Sequence, residues 1–98
     1  MSEVYSSGIW KVKDGEDQEF VDAWTDFAKW LSTMPGAGHA RLTKDIDNSG
    51  HYLSFAPWES IDAMHAWKNS PEFPQHMGPV QAHVAEFTPQ EMELVAQS

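Results

Sequence analysis

The sequence contains no cysteine. Disulfides, thiolate nucleophiles and cysteine-ligated zinc or iron–sulfur centres are therefore excluded, and the expectation is a chain at work in a reducing, cytoplasmic setting. Basic residues are almost as scarce: six Lys and Arg stand against fifteen Asp and Glu, for a net charge of −9. Lys11, Lys13, Lys29, Arg41, Lys44 and Lys68 are scattered along the chain. The concentrated positive surface that nucleic acids and anionic membranes require is missing, so neither is an expected partner. No apolar run approaches the roughly 20 residues of a membrane-spanning helix. The opening Met1-Ser2-Glu3-Val4 has neither the basic nor the apolar segment of a secretory signal. Metal-ligand spacing is lacking too: there is no His-x-x-x-His and no His-Glu pair. Asp45 to Gly50 has the look of half a calcium loop, but the downstream Glu is absent and the segment reads as a turn. Pro35-Gly36-Ala37-Gly38 lacks the strand–loop–helix setting of a phosphate cradle. The expectation is a protein with no metal and no cofactor.

What is present is aromatic. Of 98 residues, 41% are hydrophobic and 12% aromatic, with five tryptophans. The length suits one domain over residues 1–98, and a core of that size has little need of so many indoles, so some are expected to line a cavity or an interface. Val4 to Val12 alternates as a strand, with Val4, Ser6, Gly8, Trp10 and Val12 on one face. Glu16 to Met34 is the clearest helix, with Phe20, Ala23, Trp24, Phe27, Trp30, Leu31 and Met34 spaced three or four apart. Pro35 and Gly36 end it. His39 to Asp45 predicts a second strand, the 47–50 turn follows, and His51 to about Ala56 predicts a third strand paired with the second as a hairpin. Ser60 is the expected N-cap of a short helix to Lys68, and Ser70 with Pro71 suits the start of another. That last helix is predicted over 72–86, kinked at Gly78-Pro79, on the spacing of Phe73, Met77, Val80, Val84 and Phe87. Pro89 closes it, and Met92 to Ala96 is left as the final strand.

The order is β-α-β-β-α-β, an α+β fold of ferredoxin-like type with one four-stranded antiparallel sheet and helices on one face. Strands 4–12 and 51–56 are apolar on both sides, so the bare face calls for a cover. A second copy of the chain is the expected one, making a homodimer.

The stretch Tyr52-Leu53-Ser54-Phe55-Ala56-Pro57-Trp58-Glu59-Ser60, followed by Trp67 and by Ser70-Pro71-Glu72-Phe73, resembles the antibiotic biosynthesis monooxygenase family. The resemblance covers nearly the whole chain in element order and is sharpest over about twenty residues. It implies two ferredoxin-like sheets pairing into a dimeric α/β barrel, with a pocket in each subunit between sheet and helices. Several members oxidise aromatic polyketides such as anthrones with dioxygen and no cofactor; others cleave haem; others act as isomerases. The resemblance places Trp58 on the tryptophan ending the third strand of the anthrone-oxidising members. Ser54 falls where those members carry asparagine, and Met64 where they carry tyrosine. Of the groups used by haem-cleaving members, Trp67 matches the tryptophan, His76 lies one residue short of the histidine, and Gly8 stands where an asparagine is expected.

The function expected is therefore a cofactor-independent monooxygenase, oxidising a small anthrone- or quinol-like aromatic with dioxygen. Such chemistry needs a substrate whose anion can give an electron to dioxygen, a polar group at the acidic proton, and a dry aromatic pocket. Trp58, Trp67, Trp24, Phe27, Phe55 and Met64 are the candidate walls. Ser54 is the candidate hydrogen-bonding group, and His76 and His83, seven residues apart and so on one helix face, are the candidate bases. A dimer of the same fold that only binds a hydrophobic ligand, or acts by other chemistry, is the alternative; haem degradation is the remaining one.

Overall fold

The computed structural model describes residues 3–98. Its elements run β1 (Val4–Val12), α1 (Asp17–Leu31), β2 (Arg41–Lys44), β3 (His51–Trp58), α2 (Ile61–Lys68), α3 (Phe73–Gln81) and β4 (Val84–Glu93). The four strands form one antiparallel sheet in the order β2-β3-β1-β4. This is the α+β, ferredoxin-like arrangement expected. The register pairs Trp10 with Tyr52, Gly8 with Ser54, Ser6 with Ala56 and Val4 with Trp58. Residues directly opposite on paired strands share a sheet face, so these eight face the helices together, and they are buried. The core joins them to Phe20, Trp24, Phe27 and Leu31 of α1, Met64 and Trp67 of α2, and Met77 and Val80 of α3.

Several boundaries differ from the expectation, each for a local reason. α1 stops at Leu31, three residues early. The Ser32 and Thr33 hydroxyls donate to the carbonyls of Lys29 and Trp30 and so turn the chain out of the helix. β2 is four residues long, shorter than the predicted 39–45. β3 continues through Pro57 to Trp58. A residue's N–H and C=O point to the same side of a strand, and at Pro57 that side lies beyond the end of β2. The Gly38 N–H donates to the Pro57 carbonyl there, so no ladder bond needs the missing donor.

The largest correction is at the C-terminal end. α3 ends at Gln81, and Val84 to Phe87, read as helix from their spacing, belong to β4. That strand covers 84–93 where 92–96 was predicted. Pro89 sits inside it without penalty, because β4 is an edge strand whose outer side needs no donor. Pro79 is tolerated within the nine-residue α3. Ser60 caps α2 as expected, accepting from the Ala63 N–H. Ser70 caps the turn before α3 instead, accepting from the Glu72 N–H.

The opposite sheet face carries Tyr5, Ile9, Leu53, Phe55, Pro57 and Met92. No described element covers it, and Ile9, Leu53 and Met92 are 45%, 44% and 51% exposed. Among the described residues no helix is long and apolar enough to cross a membrane.

Candidate functional site

The sheet face beneath the helices is uneven. Trp10 and Tyr52 fill one end and Trp58 the other, but the middle rows pair Gly8 with Ser54 and Ser6 with Ala56. Four small side chains at the sheet centre cannot reach the helices above them, and the space left is a cavity of about 250 Å³. Its floor is Ser6, Gly8, Ser54 and Ala56; Trp24, Phe27 and Leu31 of α1 form one wall, Trp67 of α2 and Phe73 and Met77 of α3 another, and Trp10, Phe87 and Pro89 close it toward β4. The aromatic walls hold one another by tilted and edge contacts. Phe27 and Phe73 are 5.9 Å apart at 90°, and Trp67 and Phe73 are 5.0 Å apart at 72°.

Two indoles support the floor. Trp10 leans across Gly8 and donates from Nε1 to the Ser54 hydroxyl at 2.8 Å. It stacks on Phe87 with centroids 3.9 Å apart. Only glycine allows this, since a Cβ on Gly8 would lie 2.7 Å from Phe87 Cε1 and 2.9 Å from Trp10 Nε1. Trp58 donates from Nε1 to the Ser6 hydroxyl at 2.9 Å and packs on Trp67 at 5.1 Å. A third indole N–H, that of Trp67 in the wall, is buried with no partner. The one ionisable wall residue is Lys68, which pairs with Glu91 of β4 at 3.0 Å. His65 meets the same carboxylate at 2.9 Å. The hydrogen bonds from His65 and Lys68 hold the Glu91 carboxyl below the usual carboxylate range.

The structure brings Ser54, Trp24, Phe27, Phe55 and Trp67 to this cavity. Phe55 stands, by strand alternation, on the far sheet face and so borders the cavity with main-chain atoms. Trp58 is one layer behind the wall, acting on it through Ser6 and Trp67. Met64 is wholly buried in the core and does not line the cavity. The expected histidine pair is not formed. His76 stacks on Trp30 at 4.2 Å, and His83 lies beyond the end of α3, where Nδ1 pairs with Glu16 at 2.8 Å. Neither lines the cavity. Sequence reasoning passed over Ser6, Gly8 and Trp10. The signal was available: two small residues interrupt an otherwise bulky buried face in the run Val4, Ser6, Gly8, Trp10, Val12. Among the described residues no cluster of His, Asp or Glu is arranged to hold a metal ion.

Fold and site together define a ferredoxin-like α+β protein with a small aromatic cavity between sheet and helices. The family model for antibiotic biosynthesis monooxygenase matches residues 8–78, and the chain belongs to that family. It is 34% identical over 61 residues to the 42.8 kDa protein in the whiE locus of Streptomyces coelicolor, covering 62% of this chain and 15% of that protein. It is 27% identical over 73 residues to protein SchA of Streptomyces halstedii, covering 74% of this chain and 19% of that one. The chain thus spans less than a fifth of either relative's length. In structure it is similar to SnoaB, a cofactor-independent oxygenase from Streptomyces nogalater. The TM-score is 0.81, with all of this chain and 96% of that one covered; at 22% identity the likeness speaks to the fold.

Proposed function

We propose that the chain is a cofactor-independent monooxygenase domain, spanning residues 1–98 and working as a homodimer, that oxidises a small aromatic compound with dioxygen. The observation that carries this reading is the cavity. It is aromatic and largely apolar, it opens to solvent on one side, and its polar wall groups include serine hydroxyls, the Trp67 indole N–H and the ammonium of Lys68. Its volume of about 250 Å³ lies just below the range of about 300–1,000 Å³ typical of drug-sized ligands, which suits a compact ring system. The family and the likeness to SnoaB, a cofactor-independent oxygenase, support the reaction class.

The chemistry asks the protein mainly to favour an anion. A methylene flanked by an aromatic ketone loses a proton, and the resulting enolate gives an electron to dioxygen. The net change converts CH2 and O2 into C=O and H2O, so one oxygen atom enters the product and the other leaves as water. Hydrogen bonds to the enolate oxygen in a largely apolar site stabilise the charged form, as at any oxyanion site. With no histidine or carboxylate in the wall, the proton passes to water. The pH–rate profile then follows the acidity of the substrate and not that of an enzyme group.

Oxygen consumption with a panel of anthrones and hydroquinones tests this. Turnover is expected with at least one anthrone, and Ser54→Ala is expected to lower kcat/KM roughly 10²- to 10³-fold, as loss of one donor to a developing charge implies. No uptake with any member of the panel sinks the enzymatic reading and leaves a ligand-binding dimer. Haem degradation finds less support: of the residues compared with that reading, Trp67 lines the cavity, but Gly8 replaces the asparagine and His76 stacks on Trp30 outside the cavity.

A further inference from the structure

Ser6 and Ser54 are both more than nine-tenths buried, and both line the cavity. Each accepts a hydrogen bond from an indole N–H, Ser6 from Trp58 behind the wall and Ser54 from Trp10 at the cavity's edge. An indole can only donate, so the serine oxygen is the acceptor and its own O–H is left over. Neither hydroxyl donates to any protein group among the described residues. A hydroxyl that accepts one bond is polarised to donate a second more strongly. Trp67 adds a buried N–H with no partner, a group that costs free energy until an acceptor arrives. These three groups can each donate to a ligand, and the Lys68 ammonium is a further donor at the wall. The wall offers no carboxylate and no imidazole to a ligand that must itself donate.

The two hydroxyls are also spaced. Ser6 lies opposite Ala56 and Ser54 opposite Gly8, so the serines are diagonal neighbours on adjacent strands. That geometry sets their Cβ atoms roughly 7 Å apart. Two oxygens carried on the same flat ring system can accept from the two hydroxyls, one each.

We propose that Ser6 and Ser54, each turned into a donor by the indole bonded to it, read two acceptor oxygens on a planar aromatic ligand, so that the site selects dioxygenated rings, quinone-like in pattern, over hydrocarbons of the same outline. Trp58, which does not line the cavity, is a positioning residue in this scheme; Trp10 holds Ser54 and also borders the cavity. The proposal deepens the oxygenase reading by naming the ligand class, and it is tested by binding alone, so the two fail separately.

The test is equilibrium dialysis of 1,4-naphthoquinone and of naphthalene against the wild-type chain and four variants. Wild type is expected to bind the quinone more tightly than the hydrocarbon. Ser6→Ala and Ser54→Ala are each expected to weaken quinone binding about three- to tenfold, the range for one hydrogen bond, and to leave naphthalene binding unchanged. Naphthalene binding thereby reports that the variant cavity is intact. Trp10→Phe and Trp58→Phe keep a ring in place but lose the N–H, and are expected to erode the quinone preference with both serines still present. Equal binding of the two ligands by wild type overturns the proposal. So does a serine variant that weakens both ligands together, or neither. Unchanged quinone preference in both phenylalanine variants overturns the positioning role. Quinone selectivity without oxygen uptake removes the enzymatic reading only; oxygen uptake by a chain that binds quinone and hydrocarbon equally removes this proposal only.

Discussion

A Cβ at Gly8 would stand 2.7 Å from Phe87, 2.9 Å from the Trp10 nitrogen and 3.1 Å from the Ser54 hydroxyl. All three neighbours are rigidly packed, so a methyl group cannot be absorbed by a flexible side chain. Gly8→Ala is expected to cost about 1–3 kcal/mol and to break the Trp10–Ser54 bond, measured as a lower denaturation midpoint and a change in tryptophan fluorescence. Tyr52 supplies a second residue-scale test. Its burial, together with its 2.7 Å bond to Asp17, pushes the phenol up to about 12. A pKa raised on folding contributes stability that is whole below the ordinary tyrosine value of about 10 and is lost as pH climbs through 12. The bond to Glu3 also raises the other tyrosine, Tyr5. Spectrophotometric titration of the folded protein is therefore expected to show a tyrosine ionising at about 12, and Tyr52→Phe to remove that step. At this scale the sequence was legible where a residue stands in a strong pattern, as Phe20, Trp24 and Phe27 do. It was not legible at His76 and His83. Their seven-residue spacing means one helix face only if the helix lasts, and the chain leaves α3 at Gln81.

Elements were legible in proportion to what they bury. β1 was read to the residue, because every second side chain from Val4 to Val12 is buried. β4 was misread, because an edge strand with one buried residue leaves almost no alternation to find, and the 3–4 spacing of Val80, Val84 and Phe87 imitates a helix. β4 is nevertheless tied to α2 by Glu91, which holds both His65 and Lys68. The lowered Glu91 pKa fixes the sign of the pH effect. The contact contributes above the ordinary carboxylate pKa and fades as pH falls through the depressed one. The melting temperature of wild type is accordingly expected to exceed that of Glu91→Gln at neutral pH, with the gap closing in acid. A gap that persists at low pH counts against the ion pair as its origin. Because Lys68 also borders the cavity, this variant is expected to loosen the α2 side of the wall.

For the whole molecule, the uncovered sheet face is the feature that a second copy explains. Ile9, Leu53 and Met92 lie on it and are about half exposed, as expected of residues that a partner would cover. On the proposed homodimer, sedimentation is expected to give the mass of two chains for wild type and one for Leu53→Lys, with circular dichroism unchanged; a wild-type monomer at micromolar concentration rejects it. The sequence by itself determined the element order, the helix-covered sheet and the family, because periodic burial and caps are local properties written in neighbouring residues. It also determined that aromatics would exceed the needs of the core. Only the tertiary structure decided where the cavity lies and which groups face it. Ser6 meets Trp58 across 52 residues and Trp10 meets Ser54 across 44, and strand register, which a one-residue slip would reverse, is what sets those partners side by side.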